Sequence, residues 1–412
     1  MAVVDRSARV VVTGLGVLSP VGETLEDFWD SVVHAVVGTR PLQRPDAADF
    51  AGRLAGEVRG FPAVRGTGDR VTRLAVAAAS AATADAGLVP WAGDPARAGV
   101  CFGTLLGSRA ALEPAVTRFH RAGAHGAATG GADAPAVQPP PVVGLADAVA
   151  REHGFLGPGS VVATACASGN SALAYAAEAI RAGRADVMVA GGAEELSAGI
   201  MMMFASLRSL TDDALRPFDR NRSGLVVSEG AAALVLESYE HARARGARVH
   251  AELAGWASAC DAHHMTAPHP EGRGARRSLE RALAMAGVAR EQVGHISAHG
   301  TGTPSNDVVE AAAVRAVFGD GGPALSSLKG ALGHTQGAAS AIEAVACVLA
   351  LRDGVIPPTA NLVDPDPACP VDLVYGAARE APLDVVVNNA FGFGGNTACT
   401  VFTRPGLGRN AG

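Results

Sequence analysis

The sequence predicts an α/β protein made of two similar mixed halves, and three observations support this fold class. Short apolar runs typical of β-strands alternate with alanine-rich stretches typical of helices along all 412 residues. Several apolar runs are continuous rather than alternating, which indicates strands covered on both faces. The order of segments before about residue 250 resembles the order after it. We therefore expect one half over residues 1–250 and a second over 251–412.

Each predicted element follows from the length and composition of its segment. Eight apolar segments are predicted to be strands: Val10–Thr13, Gly99–Phe102, Val161–Ala163, Val187–Ala190, Ala231–Leu236, His295–Ala298, Val385–Asn388 and Thr397–Phe402. Six alanine-rich segments are predicted to be helices: Leu25–Ala35, Arg70–Ala86, Ser168–Arg181, Ala275–Ala286, Asp307–Phe318 and Ala338–Arg352. The aperiodic stretches Ala122–Pro141 and Pro357–Pro370 are predicted to be loops.

The composition argues against several classes of protein. We find no window of about 18 uninterrupted apolar residues, so no membrane span is expected. The first residues lead directly into an apolar run and lack the layout of a signal peptide. Six cysteines are scattered without CxxC pairs, which predicts reduced thiols and a cytoplasmic protein. A net charge of −6 gives no support to nucleic-acid binding.

Lys329 is the only lysine among 34 basic residues, so every other one is arginine. Because arginine and lysine differ in shape and hydration, a position that keeps lysine against this bias needs a compact ammonium group. Direct chemistry and a buried pair with a carboxylate are equally consistent with this pattern.

Cys166 lies in SVVATACASGN, where a predicted strand ends and a helix begins at Ser168. A thiol at such a turn is close to the partial positive charge of the helix N-terminus, which favours thiolate. The residue is therefore a candidate nucleophile, although a free cysteine among alanines is more often an inert core residue.

His299, in GHISAHGTGTPSND, lies between a predicted strand and a helix, and His334, in GALGHTQGAAS, lies in a glycine-flanked loop that opens a predicted helix. Active sites of α/β proteins occupy such positions. One such histidine is usually structural, but two, together with the turn cysteine and the lone lysine, favour catalysis. Near the C-terminus, FGFGGN places Phe391 and Phe393 in a glycine-rich turn. This turn predicts either a gate over a pocket or a tight hairpin with packed aromatic rings.

Two other motifs do not support a function. VVVTGLGVLSPVG is similar to a dinucleotide-binding fingerprint, but Ser19 replaces the third glycine and no suitable acidic residue ends a second strand. His263, His264 and His269 fall in DAHHMTAPHP, which has two prolines and no helical spacing of ligands. We expect neither a nucleotide nor a metal.

Taken together, these segments resemble the β-ketoacyl-acyl-carrier-protein synthase family, in particular its Cys-His-His members. The motifs that carry the resemblance follow one another along nearly the whole chain: RVVVTGLGVLSPVGETLEDFW, TACASGN, ADVMVAGGAEE, RPFDRNRSGLVVSEGAAALVLE, DAHHMTAP, HGTGTPSND, SLKGALGHTQGAASAIEA and FGFGGN. The resemblance implies the thiolase-like fold, in which two similar halves stack as five layers (αβαβα) and the chain forms dimers.

The resemblance also implies a role for each site residue. Cys166 would carry the acyl group, and His299 and His334 would stabilise the enolate formed when malonyl-carrier protein loses CO2. Lys329 would keep His334 neutral and pair with Glu343, and the backbone N–H groups of Cys166 and Phe393 would hold the acyl-enzyme oxyanion. No cofactor is implied, because substrates arrive on the phosphopantetheine arm of an acyl carrier protein.

Other matches concern substrate binding. Thr301 and Thr303 match the hydroxyls that hold the phosphopantetheine arm, with Thr266 as a further candidate, and Phe393 matches the gating phenylalanine. Four residues fall where the family lines its acyl pocket: Phe204, Met201, Met202 and Met203. Carrier proteins are acidic, so candidate docking residues are Arg70, Arg73, Arg208, Arg216, Arg220 and Arg222.

Several departures from fatty-acid enzymes favour a ketosynthase of a type II polyketide pathway, with housekeeping fatty-acid elongation as the alternative. The histidine loop reads HGTGT, the lysine segment SLKGALGHTQ and the final loop GGNT. A non-catalytic partner subunit is disfavoured because Cys166 is present, and a decarboxylase or simple acyltransferase is disfavoured by the two histidines. A thiolase would need a second catalytic cysteine, whereas Cys399 lies in a predicted strand. The dimer partner is either a second copy or a ketosynthase-like chain.

Overall fold

The computed structural model describes residues 8–42, 50, 52–60, 69–113 and 144–407, so the predicted loop Ala122–Pro141 lies outside the described residues. The described strands are β1 Val10–Leu18, β2 Thr39–Pro41, β3 Leu54–Gly56, β4 Ala98–Gly103, β5 Gly159–Val162, β6 Val187–Glu194, β7 Gly230–Ser238, β8 Ala251–Cys260, β9 Val293–Ser297, β10 Ala324–Ser326, β11 Val355–Ile356, β12 Arg379–Glu380, β13 Val385–Gly392 and β14 Asn396–Thr403. The described helices are α1 Leu25–Val33, α2 Arg70–Asp85, α3 Gly144–His153, α4 Ser168–Arg181, α5 Ala198–Ser206, α6 Tyr239–Ala244, α7 Arg273–Ala286, α8 Pro304–Phe318, α9 Lys329–Leu332 and α10 Ala339–Asp353.

Ten strands form one hydrogen-bonded sheet in the order β10-β9-β13-β14-β8-β1-β7-β6-β4-β5. In this order the five strands that precede residue 250 are neighbours and form one half of the sheet, and the five that follow residue 250 form the other half. From each outer edge inward, the first two pairings are parallel and the next two antiparallel. The sides meet where β1 pairs with β8 at Val11 and Val12. This repeated order confirms the predicted duplicated mixed α/β architecture.

Helices form the remaining three layers. α4 and α10 contact strands of both sheet halves. They therefore form the central layer, between the two halves. α2 and α3 cover the first half, whereas α7 packs on β8 and β14 and α8 packs on α7 over the second half. Every residue of α10 from Ala339 to Leu351 is buried, because sheet lies on both sides of this helix. The predicted five-layer arrangement is thus confirmed.

The glycine-rich segment near the N-terminus is a strand, not a phosphate-binding loop. Gly14 and Gly16 lie within β1, and a Cβ at either position would collide with a backbone carbonyl of α2, that of Ala82 or Ala78. The two glycines therefore allow α2 to pack closely against β1.

All eight predicted strands and all six predicted helices are present, with different ends. The predicted helix Asp307–Phe318 was placed too late, since α8 begins at Pro304, a residue type favoured in the first helical turn. The sequence analysis did not predict β2, β3, β8, β10, β11 and β12, nor α3, α5, α6 and α9. Within the part of the chain that the structure describes, no helix has the length and apolar character needed to cross a bilayer.

Candidate active site

Cys166 occupies the turn between β5 and α4, as the sequence predicts. Ala165 before it has φ of +52°, a left-handed conformation that turns the chain sharply toward the helix. The hydroxyl of Ser168 accepts the N–H of Thr164 at 2.9 Å and donates to the carbonyl of Thr104 at 3.1 Å. These bonds fix the turn, and Cys166 is only 3% exposed within it.

His334 lies against the cysteine, with its Nε2 atom 3.2 Å from Cys166 Sγ. The backbone N–H of Gln336 donates to His334 Nδ1 at 3.2 Å. Because Nδ1 acts as an acceptor, the proton of the neutral ring is assigned to Nε2. Gln336 has φ of +52°, so a left-handed backbone directs its N–H at the ring.

His299 follows β9 and its ring centroid lies 5.5 Å from that of His334, nearly perpendicular to it. The carboxylate of Glu310 accepts the backbone N–H groups of His299 and Gly300, each at 2.8 Å. Glu310 belongs to α8, so the helix that follows the histidine loop also holds it in place.

Burial controls the protonation of all three groups. It lowers the pKa of His299 and His334 well below 6.5, and the nearby charge of Lys329 lowers both further. Both rings are therefore neutral at physiological pH and can each donate one N–H. Burial also raises the pKa of the Cys166 thiol to about 12, opposed chiefly by Lys329. The helix N-terminus also favours thiolate, but by much less than burial favours the thiol.

Lys329 forms a buried ion pair and does not border the cavity. Its Nζ atom lies 2.5 Å from Glu343 Oε1, and the two side chains are 1% and 2% exposed. Burial raises the pKa of the Glu343 carboxyl, and the ammonium opposes this shift. The sequence left two explanations for the lone lysine, direct chemistry and a buried pair with a carboxylate, and the structure contains the buried pair. The ammonium charge of this pair also lowers the pKa values of Cys166, His299 and His334.

A cavity of about 270 Å³ joins the predicted site residues. Cys166, His299 and His334 border it, and so do the following predicted binding residues: Thr266, Thr301, Thr303, Phe204, Phe393 and Arg208. The hydroxyls of Thr301 and Thr303 are 2.8 Å apart. The ring of Phe204 lies 5.8 Å from that of Phe393 and 6.4 Å from that of His334, so these three rings form one cluster in the cavity wall.

The glycine-rich turn after β13 is attached to the segment after β8. The N–H of Gly394 donates to the carbonyl of Met265 at 2.7 Å, and Asp261 donates its N–H to the carbonyl of Gly395 at 2.9 Å. The side chain of Asn396 donates to the Phe393 carbonyl at 2.8 Å. Gly394 and Gly395 have φ of +79° and +76°, which explains the two glycines. Asn396 belongs to the unusual GGNT sequence, and its bond was not anticipated.

The three methionines do not form one surface. Met201 is buried in the core around Phe204, whereas Met202 is 58% exposed in this chain. Met203 is half-buried against the same core. Phe204 borders the cavity but none of the three methionines does. Three consecutive helical residues necessarily point in different directions, so the run cannot act as one pocket wall.

The candidate docking arginines also differ in their surroundings. Arg70 forms a two-point pair with buried Glu229, which favours a structural role over docking. Arg216, Arg220 and Arg222 pair with aspartates 213, 364 and 366. Arg73 is exposed on α2. Only Arg208 among the six is both exposed and at the cavity, and it has no ion-pair partner within the described residues.

The alternative chemistries find no support in the geometry. Cys399 is buried in β14 and, unlike Cys166, does not border the cavity, so it is a core residue rather than a second nucleophile. His263 and His269 have ring centroids 5.0 Å apart. Among residues 8–42, 50, 52–60, 69–113 and 144–407, no group of three or more His, Cys, Asp and Glu side chains is arranged to hold a metal ion.

A thiolase-type fold with a cysteine and two neutral histidines around one cavity defines a condensing enzyme of the acyltransferase class. Models of the β-ketoacyl synthase N-terminal and C-terminal domains match residues 7–242 and 250–363. The chain belongs to the β-ketoacyl synthase family.

Known relatives come from both fatty-acid and polyketide synthesis. The chain is 39% identical to 3-oxoacyl-[acyl-carrier-protein] synthase 2 of Synechocystis sp. (96% of this chain, 98% of that protein). It is also 39% identical to the ketoacyl synthase alpha subunit of the tetracenomycin polyketide synthase of Streptomyces glaucescens (96% and 97%). The solved structure of the ishigamide ketosynthase/chain length factor superposes with a TM-score of 0.89 at 38% identity (97% and 100%).

Proposed function

We propose that the chain is a β-ketoacyl-acyl-carrier-protein synthase that joins an acyl group on Cys166 to the two-carbon unit of malonyl-carrier protein, with loss of CO2. One observation carries this proposal: Cys166 Sγ lies 3.2 Å from His334 Nε2 in a cavity that His299 also borders. The cavity therefore offers a nucleophile and neutral N–H donors to the same bound thioester.

In the first half-reaction, Sγ attacks the acyl carbonyl of a carrier-bound thioester. The C–Sγ bond forms, the bond to the pantetheine sulfur breaks, and the thiol proton passes to the departing sulfur. The backbone N–H groups of Cys166 and Phe393 receive the oxyanion in the tetrahedral intermediate. Because the resting thiol is protonated, ionisation accompanies attack rather than preceding it.

In the second half-reaction, malonyl-carrier protein loses CO2 and the electron pair of the broken C–C bond forms an enolate. His299 and His334 donate N–H to its oxygen, which requires neutral rings. The enolate carbon then attacks the acyl-Cys166 carbonyl, a C–C bond forms, and Sγ leaves and regains a proton. Because decarboxylation itself generates the carbanion, the proposed chemistry requires neither a strong base nor a resident cofactor.

Other cavity residues would position the substrates. Thr301 and Thr303, with Thr266, would bind the phosphopantetheine arm, and Phe393 would gate entry. Phe204 would contact the acyl chain; Met201, Met202 and Met203 contribute to that pocket only if a partner chain extends it past α5. Arg208 is the favoured docking residue for an acidic carrier protein, ahead of Arg73 and the paired Arg70.

We place the enzyme in a type II polyketide pathway, with fatty-acid elongation as the alternative. The HGTGT and GGNT loops support this placement, and the structural relative is a ketosynthase paired with a chain length factor. By that analogy, the chain would act in the cytoplasm as a dimer with itself or with a ketosynthase-like partner. Its two ketosynthase halves would be residues 1–250 and 251–412.

Intact-mass measurement tests the proposal. The purified chain is mixed with a panel of acyl-carrier proteins, alone and with a candidate partner chain, beside a Cys166→Ala variant. We expect an acyl adduct that is absent from the variant, followed by release of a β-ketoacyl product when malonyl-carrier protein is added. An adduct that persists in Cys166→Ala would refute the assignment of the nucleophile. Acylation without condensation would instead indicate a simple acyltransferase.

A further inference from the structure

Glu194, the last residue of β6, is completely buried and hydrogen-bonded to two separate loops. On one side its carboxylate accepts the backbone N–H groups of Leu105, at 2.5 Å, and Leu106, at 3.2 Å, together with the hydroxyl of Thr104. On the other side it accepts the N–H of Gly337 at 3.2 Å. One carboxylate therefore connects the loop after β4 with the loop that contains His334.

The loop after β4 leads to the nucleophile. The hydroxyl of Ser168 lies 3.1 Å from the carbonyl oxygen of Thr104 and 2.5 Å from that of Ala165, so its single proton is shared between the two carbonyls. Ala165 and Ser168 are the residues that shape the Cys166 turn. A displacement of Thr104 would therefore be transmitted to the thiol through two hydrogen bonds.

The other loop leads to the histidine. Gly337 follows Gln336, whose N–H fixes the tautomer of His334. The approach is close, because a Cβ at Gly337 would lie only 2.5 Å from Glu194 Oε2. The backbone of the histidine loop thus packs directly on the carboxylate, and no bulkier residue would fit there.

Glu194 has no cationic partner among its hydrogen bonds, so amide dipoles and one hydroxyl stabilise its charge. Burial raises the pKa of this carboxyl to about 7, and the N–H groups of Leu105, Leu106 and Gly337 oppose the shift. A buried acid without a cation is costly to maintain, but an apolar residue here would leave the buried N–H groups of Leu105, Leu106 and Gly337 without this acceptor. Its bonds to both catalytic loops give it a more specific task.

We infer that Glu194 is a positioning residue for this active site: it holds the Cys166 turn and the His334 loop in register, so that Sγ and Nε2 remain in contact. The inference rests on the proposed function. It also explains why a carboxylate is needed, since Leu105 and Gly337 both donate to Oε2 while Leu106 donates to Oε1. A glutamine has one oxygen and must turn an NH2 group toward one of these donors.

The test compares Glu194→Gln with Glu195→Gln. The control is matched, because neighbouring Glu195 is equally buried and also accepts two backbone N–H groups, from Val71 and Ala110, away from the site. For each variant we would measure thermal unfolding, the rate of Cys166 alkylation by iodoacetamide, and kcat and KM with carrier-bound substrates. Glu194→Asp is the second variant if Glu194→Gln does not fold, because its shorter side chain cannot span both loops.

We expect Glu194→Gln to fold, to lose at least about tenfold in kcat with KM within twofold, and to show an altered alkylation rate. Glu195→Gln should stay within about threefold of the parent in both rates. Parent-like rates in folded Glu194→Gln or Glu194→Asp would refute the inference, as would equal losses in Glu194→Gln and Glu195→Gln. If the parent does not condense substrates, the proposed function fails, whereas the alkylation comparison still decides the role of Glu194.

Discussion

Replacing Lys329 with methionine, alone and together with a replacement of Glu343, would separate the contribution of the buried ion pair to folding stability from its contribution to the reactivity of Cys166. Methionine keeps most of the apolar stem and removes the ammonium. Glu343 Oε2 already lacks a hydrogen-bond partner within the described residues, so Lys329→Met leaves the whole carboxylate unpaired. We expect a loss of about 3–5 kcal/mol in the free energy of unfolding, a large fraction of the roughly 5–15 kcal/mol typical of folded proteins.

The double variant Lys329→Met/Glu343→Leu removes the unpaired charge and should restore stability to within about 1 kcal/mol of the parent. It should not restore activity. Lys329 is the main influence that opposes the raised pKa of Cys166, and without it the thiolate and the enolate both lose a nearby positive charge. Because Glu343 raises the same pKa by less than Lys329 lowers it, removing both side chains should still decrease the alkylation rate at fixed pH, and Lys329→Met alone should decrease it further.

Urea unfolding followed by circular dichroism gives the stabilities, and mass spectrometry of the proteolytic peptides separates alkylation of Cys166 from that of exposed Cys260. The control is Arg276→Met, which breaks an exposed pair with Glu280 and should cost less than about 0.5 kcal/mol. A stable double variant that reacts and turns over like the parent would refute a chemical role for Lys329. A single variant of parental stability would refute the argument from burial.

Two further predictions concern the thiol and the docking surface. Burial raises the pKa of Cys166 to about 12, so its alkylation rate should increase about tenfold per pH unit from about pH 7 to 10. A plateau below about pH 8 would mean that the helix N-terminus lowers this pKa by more than burial raises it. Arg208→Glu should lower kcat/KM for carrier-bound acyl groups at least about tenfold and spare small thioester mimics, while Arg243→Glu, away from the cavity, should change neither; equal loss on both substrates would exclude docking by Arg208.

The fold was largely predictable because its strands and central helices have unmistakable compositions. α10 is the best example, since a helix between two sheet halves is buried on all sides, and from Ala339 to Leu351 its only polar residues are Ser340 and Glu343. β8 was missed because AELAGWASAC contains no β-branched residue and ends half-exposed. Its extended conformation depends on pairing with β14 and β1, which no local pattern in the sequence reveals.

The positions of the three candidate catalytic residues at one cavity were predictable, and the residues that hold them in place were less so. Cys166 and His299 lie in motifs at strand-to-helix turns and His334 lies in a loop that opens a helix, and the structure places all three at one cavity. The contribution of Gln336 was not predictable, because it acts through a backbone N–H that every residue except proline has. The exposure of Met202 was equally hidden, since a run of methionines does not say which of them faces outward.

Buried carboxylates accept the backbone N–H groups that the irregular loops of this site leave unpaired. Loops without regular structure leave backbone N–H groups unpaired, and each must find an acceptor when buried. In this site the acceptors are carboxylates. Glu310 accepts N–H groups from the His299 loop, and Asp307 accepts those of Thr301 and Gly302. Glu194 accepts N–H groups from the loop after β4 and from the His334 loop. In HGTGTPSNDVVE the acids Asp307 and Glu310 lie in the first two turns of the helix that follows the glycines, so one short segment of sequence contains both the loop and its support. The same reasoning makes the pairing of a glycine-rich loop with acids in the next helix a sequence sign of a rigid loop.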